Sequence, residues 1–200
     1  MPVRWLRPGT CASVGKAARP EPTGAWWGPN HNPAEARSPV GEIVVPILLW
    51  FAAIGCGLLA GLYFAFSTFV MRALGRIERA SGIAAMNAIN VDIVRSPFMP
   101  LFLGTTLVSA ILAALAVFRL GEPGAAAMLA GGVLYVVGMF VVTMIFNVPL
   151  NNALAAADPA STEAASIWAR YLKEWTFWNH VRTVASTAAC ALFIAAIAAD

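Results

Sequence analysis

Gly124 to Ala157 reads GAAAMLAGGVLYVVGMFVVTMIFNVPLNNALAAA, 34 consecutive positions without a charged residue. An α-helix rises about 1.5 Å per residue and the hydrocarbon layer of a bilayer is about 30 Å thick, so about 20 apolar residues suffice to cross it. Polar and apolar side chains do not alternate here, as they would over the roughly 10 residues of a transmembrane strand. The segment is a lipid-crossing helix, and the rest of the chain is read from it.

Upstream, Ser96–Phe118 is uncharged over 23 positions and Ile43–Met71 over 29; downstream, Thr183–Ala199 is uncharged over 17 and needs its aromatic approach to complete a crossing. The expected fold is all-α: an integral membrane four-helix bundle over residues 43–200. Composition agrees, with 60% hydrophobic and 12% charged residues against about 25% charged in soluble proteins. Residues 1–42 are rich in proline and glycine and show no apolar period, so a disordered tail is expected, either dispensable or an over-extended start of translation. No apolar stretch before Ile43 has the form of a secretory signal.

The net charge of +3 sits in that tail and at the span edges, which speaks for topology and against nucleic-acid binding. Arg72, Arg76, Arg79, Arg95, Arg170, Lys173 and Arg182 fall on one side, against Arg37 and Arg119 on the other. The positive-inside rule then predicts a multi-pass plasma (inner) membrane protein with connections 72–95 and 151–180 cytoplasmic and both termini outside. Cys11, Cys56 and Cys190 form no CxxC and no metal spacing, and the two inside spans are expected to pack as small hydrophobes.

Helix packing in lipid relies on small residues. Ala53, Gly57, Gly61 and Ala65 recur every fourth position. Packing within the chain's own bundle is the plainer reading of Gly57 and Gly61, and a homodimer face the other. Thr105, Ser109 and Ala113 form a small stripe on the second span, and Gly131 and Gly138 stand seven apart on the third. Between the first two spans, Arg72–Arg95 carries a helical apolar period with a break expected near Gly82. Asp158 followed by Pro159 predicts the start of the last helix.

That helix carries WARYLKEWTFWNHVRT, Trp168 to Thr183, with the one histidine beyond the tail. Trp168, Tyr171, Trp175, Trp178 and Arg182 fall at helical spacings of 3 and 4, which makes a single stripe, with His180 turned away from it. With four spans, Tyr63–Thr68, Asn90–Arg95, Asn147–Asn152 and Trp175–Thr183 all end at the same membrane face. A bundle can therefore close them around one pocket, polar at the mouth and apolar below, suited to a small hydrophobic molecule with a polar edge. The candidate substrate-binding residues are Tyr63, Asn90, Asn147, Asn151, Trp175 and Asn179. His180, Arg182 and Asp92 are the candidates for chemistry: His180 or Asp92 to take a proton, Arg182 to hold the anion that results. Interfacial anchoring of Trp and Arg, an Asp92–Arg95 ion pair and capping by Asn147 near Pro149 are the bland alternatives.

No span contains a carboxylate and only one histidine is available, which leaves too few ligands for a di-iron site or for bis-histidine haem within one chain; no P-loop or GxGxxG is present. The expected cofactor and metal content is none.

The segments GLYFAFSTFVMRAL, MNAIN, SPFM, VTMIFNVPLNNAL and WARYLKEWTFWNHVRT resemble those of the anthrone oxygenase-like family, four-span proteins mostly of unknown function. The likeness covers about Ile43–Ala199, with Asn-Val-Pro-Leu-Asn and Trp-Asn-His-x-Arg-Thr its most specific pieces, and leaves the tail without a counterpart. It implies cofactor-independent oxidation of a polycyclic phenolic substrate, by proton abstraction and direct reaction of the carbanion with dioxygen. A non-catalytic binding or assembly module is the competing expectation. Transport fits poorly, because mid-membrane coupling charges are absent.

Overall fold

The computed structural model describes residues 39–159 and 161–199, so most of the expectation for residues 1–42 lies outside the described residues. Backbone is helical from Pro39, four residues before the first span was expected to begin. Four helices are long and apolar enough to cross a membrane: α1 (Ile43–Leu74), α3 (Phe98–Val117), α4 (Ala125–Ala156) and α5 (Thr162–Ala199). A fifth, α2 (Arg79–Arg95), joins α1 to α3 and is too polar to count among them. No strand forms among the described residues beyond an isolated bridge from Leu120 to Glu122 in the α3–α4 turn. The chain is a helical membrane bundle.

Side by side, α1 packs on α5, α5 on α4, α4 on α3 and α3 back on α1, which closes a four-membered ring. Small residues set these approaches. A Cβ on Gly138 would come within 2.7 Å of the Ala185 Cβ, and one on Gly132 within 2.8 Å of the Ala113 Cβ, so α4 lies nearly backbone to backbone with α5 and α3. Thr105 and Ser109 are fully buried on α3, as their stripe predicts. On α1 the outcome differs. Gly55 faces Thr105, whereas Gly57 and Gly61 are exposed and a Cβ on Gly61 would meet nothing within 4 Å. Packing inside the bundle is therefore not the role of Gly61.

Helices α1, α4 and α5 hold 32, 32 and 38 residues. At about 1.5 Å per residue they exceed a 30 Å hydrocarbon layer by about 18 Å or more. Their surplus turns all project at one face and build a second core there, in which Met71, Ile83, Met86, Leu154, Trp168 and Tyr171 pack together. The first core, with Leu49, Cys56, Leu59, Leu112, Tyr135 and Phe193, fills the bundle proper. Helix α2 lies in the projecting part.

Two boundaries differ from expectation. The chain breaks at Gly75–Glu78, where Glu78 caps α2 by accepting from the Ala80 and Ser81 amides at 2.9 and 2.7 Å. Gly82 sits inside α2, because a Cβ there would press to 2.8 Å from the Leu74 carbonyl and 3.1 Å from the Trp168 ring. Likewise α5 starts at Thr162, with the Ser161 hydroxyl accepting from the Ala164 amide, three residues past Asp158.

Candidate functional site

Between the two cores lies a cavity of about 260 Å³. Three of the helices around it widen into π-helical turns at this level: Phe66–Val70 in α1, Thr143–Asn147 in α4 and Tyr171–Trp175 in α5. Such turns re-aim side chains relative to a regular helix and recur at functional sites. In α4 the widened turn ends directly before Val148 and Pro149; a proline cannot donate to the preceding turn and crowds its carbonyl.

The apolar floor and walls come from Leu62, Phe66, Met86, Phe98 and Phe102, with Val94 and Met144, both about half exposed, at the lipid side. Tyr63, Asn90, Asn151, Thr143, Trp175 and Arg182 supply the polar lining. Tyr63, Phe98 and Phe102 form a short aromatic run along the wall, with centroids 6.5 and 5.6 Å apart.

Arg182 dominates the electrostatics. It is 5% exposed, and its guanidinium carbon lies 4.4 Å from the Tyr63 ring centroid and 5.1 Å from that of Trp175, a cation held between two aromatic faces. One amino group donates to the Asn179 Oδ1 at 2.7 Å and the other to the Thr143 hydroxyl at 3.4 Å. No carboxylate is among its partners, and its Nε has none at all among the described residues. Two further cavity-lining donors, the Asn90 Nδ2 and the Trp175 indole N–H, are also buried without a partner. A buried cation without a counter-ion is costly in a membrane, and its own unpaired Nε with the two unpaired donors beside it point to an anionic or strongly polar oxygen as the missing group.

The other amides hold the scaffold. Asn179 is fully buried and gives its Nδ2 to the Tyr63 carbonyl and the Ser67 hydroxyl, both at 2.7 Å, which ties α5 to α1 behind the cavity. Asn147 donates to the Trp175 carbonyl at 3.2 Å and ties α4 to α5. Asn151 accepts from the Tyr171 hydroxyl at 2.7 Å. Of the expected binding residues, Tyr63, Asn90, Asn151 and Trp175 line the cavity, while Asn147 and Asn179 stand behind its wall.

The expected bases are elsewhere. His180 is exposed and turned away from the cavity, as its helical angle from Asn179 and Arg182 requires; it lines outer hollows between α5 and the end of α1. Asp92 is exposed on α2 and absent from the cavity wall. The buried stripe of α5 runs Trp168, Tyr171, Trp175, Asn179, Arg182, with Trp178 beside it, stacked on Phe146 at 3.6 Å between centroids. After Trp175 the helix is regular, and at 3.6 residues per turn its inward face returns nearest Asn179 and not at Trp178. Missed by sequence reasoning were Thr143 and the apolar cavity residues of α2 and α3; Thr143 differs from its neighbours only as a hydroxyl four residues before Asn147. Among the described residues no three His, Cys, Asp or Glu side chains come together as a metal ion would need.

The order of these parts is decided by α4 and α5, which carry Thr143, Asn147, Asn151, Trp175, Asn179 and Arg182. Residues 97–192 match the family model of anthrone oxygenase. Over that region the chain is similar to the anthrone oxygenase family, as three of the quoted segments implied, while GLYFAFSTFVMRAL and MNAIN lie before the matched residues. No curated protein and no solved structure matches it. The anthrone oxygenase-like region contains the cation and its clamp, and Tyr63 and Asn90 come to the cavity from the helices before it.

Proposed function

We propose that the cavity binds a compact, mostly apolar polycyclic phenol or anthrone, with its oxygen toward Arg182, and that the protein oxidises it with dioxygen. The observation that carries this reading is a guanidinium with no carboxylate partner and an unpaired Nε, held between Tyr63 and Trp175 at one end of an apolar chamber. A volume of about 260 Å³ is slightly below the range of ligand sites, about 300–1,000 Å³, and suits a compact rigid ring system better than a long chain. The family likeness supplies the reaction class.

On this reading Arg182 favours the ionised, enolate form of the substrate by holding its developing oxyanion. The ring carbon loses a proton, the carbanion adds dioxygen to give a peroxide, and loss of water leaves a carbonyl, so that CH₂ and O₂ become C=O and H₂O. No carboxylate or imidazole lines the cavity, so the proton passes to solvent at the mouth. His180 and Asp92 take no part in this scheme. The basic count supports an orientation with the projecting core and the mouth toward the cytoplasm, and a plasma membrane is the proposed location.

The same absence of a base on the wall favours a second reading, binding without turnover. Oxygen uptake by membranes carrying the protein and supplied with an anthrone separates the two. The oxygenase reading expects uptake that falls about 10²–10³-fold in Arg182→Gln and is largely kept in His180→Ala and Asp92→Asn. Uptake lost in His180→Ala and kept in Arg182→Gln would overturn the assignment. Retention of the anthrone in equilibrium dialysis with no uptake supports the binding module.

A further inference from the structure

His180, which the cavity does not use, belongs to a different feature. On the outer surface, where α1 and α5 leave the apolar span, two adjoining hollows of about 350 and 460 Å³ share His180, Thr176 and Leu172. Arg72 and Arg76 border the first and Lys173 the second, so three cations and an imidazole face one groove. None of the three cations has a carboxylate partner among the described residues; Glu174 also lines the second hollow, with its carboxylate held by Arg170 at 2.9 Å. The Thr176 hydroxyl is buried in the groove without a hydrogen-bond partner. Further along the same helices lie exposed Gly61 and Gly57 on α1, 11 and 15 residues before Arg72, and Val184 on α5, four residues after His180. Nothing comes within 4 Å of a Cβ on Gly61.

We propose that this groove is a binding site for an anionic phospholipid, with the phosphate among Arg72, Arg76, Lys173 and the Thr176 hydroxyl, and an acyl chain along the bare Gly57–Gly61 surface. A phosphate needs several cationic and hydroxyl donors, and the groove offers both at the depth where headgroups lie. The exposed apolar surface on α1 and α5 beyond it selects a lipid over free phosphate. This site is separate from the cavity and does not depend on the oxygenase reading.

The test uses full-length protein in neutral detergent, with thermal unfolding and native mass spectrometry as readouts. Phosphatidylglycerol is expected to stay bound and raise the unfolding midpoint, whereas phosphatidylcholine and inorganic phosphate do neither. In the Arg72→Gln/Arg76→Gln double variant the apparent affinity for phosphatidylglycerol falls about thirtyfold, at about 1 kcal/mol per basic residue. Arg95→Gln, an exposed charge on the same side, keeps parental affinity. Gly61→Leu, which adds a side chain on the surface where the acyl chain would lie and leaves the charges, weakens lipid binding as well. Equal affinity in the double variant, an effect reproduced by inorganic phosphate alone, or a dimer that covers Gly61 and excludes the lipid would overturn the proposal.

Discussion

Arg182 is a cation inside a lipid-crossing helix whose neighbours are two rings, an amide and a hydroxyl. That environment depends on Asn179, which spends its acceptor on the guanidinium and its donors on α1. Removing the amide leaves a buried carbonyl, a hydroxyl and one arm of the guanidinium short of a partner. Asn179→Ala is therefore expected to destabilise the bundle by about 2 kcal/mol or more, read as a lower unfolding midpoint in detergent. Asn152→Ala, at an exposed amide nearby, should leave it within about 0.5 kcal/mol. Arg182, Tyr63 and Trp175 were legible in the sequence because burial near a membrane singles out polar and aromatic groups on one stripe. Asn147 and Asn179 carried the same signal and serve helix-to-helix bonds instead. Spacing tells which face a residue occupies, and not whether its partner is a ligand or a backbone carbonyl. His180 was singled out by its chemistry alone, although its angle on the helix already pointed outward.

At the scale of elements, the spans followed from charge-free length, while breaks and caps depended on contacts that no local pattern contains. Gly82 reads as a breaker, yet it is needed inside α2 by the Trp168 ring. Glu78 is a less common cap than Asp or Ser, but its longer side chain still reaches the amides of Ala80 and Ser81. Those two bonds hold its carboxyl below the usual carboxylate range. A folded-state value below the unfolded one means that the cap's contribution is present above the unfolded value and is lost as pH falls through the folded one. Hydrogen exchange at Ala80 and Ser81 should accordingly speed up as pH is lowered through and below about 4, beyond the intrinsic trend. Glu78→Gln should remove that extra acid sensitivity. Unchanged protection of the two amides in acid would mean that α2 is held by its packing on Trp168 and not by its cap.

For the whole molecule, one arrangement explains the cavity: a lipid-embedded core and a projecting core, joined by π-widened turns that leave room between them. The existence of a shared mouth could be read from topology, because four spans force their polar ends to one side. Its depth and walls could not, because they depend on how far α1, α4 and α5 overrun the bilayer and on where α2 folds back. Glycine placement tests this ring of helices directly. Gly138 lies where α4 meets α5, and a Cβ there would stand 2.7 Å from the Ala185 Cβ, whereas the same atom on Gly61 meets nothing within 4 Å. Gly138→Val must push two helices apart along their length, and overpacking of this kind costs about 1–3 kcal/mol. Gly61→Val faces open surface and, with no lipid added, should unfold at the parental temperature in neutral detergent. The expected order of midpoints is therefore Gly138→Val well below Gly61→Val. If Gly61→Val instead unfolds as early as Gly138→Val, the outward face of α1 is covered by protein, and the ring of four helices is only part of the assembled molecule.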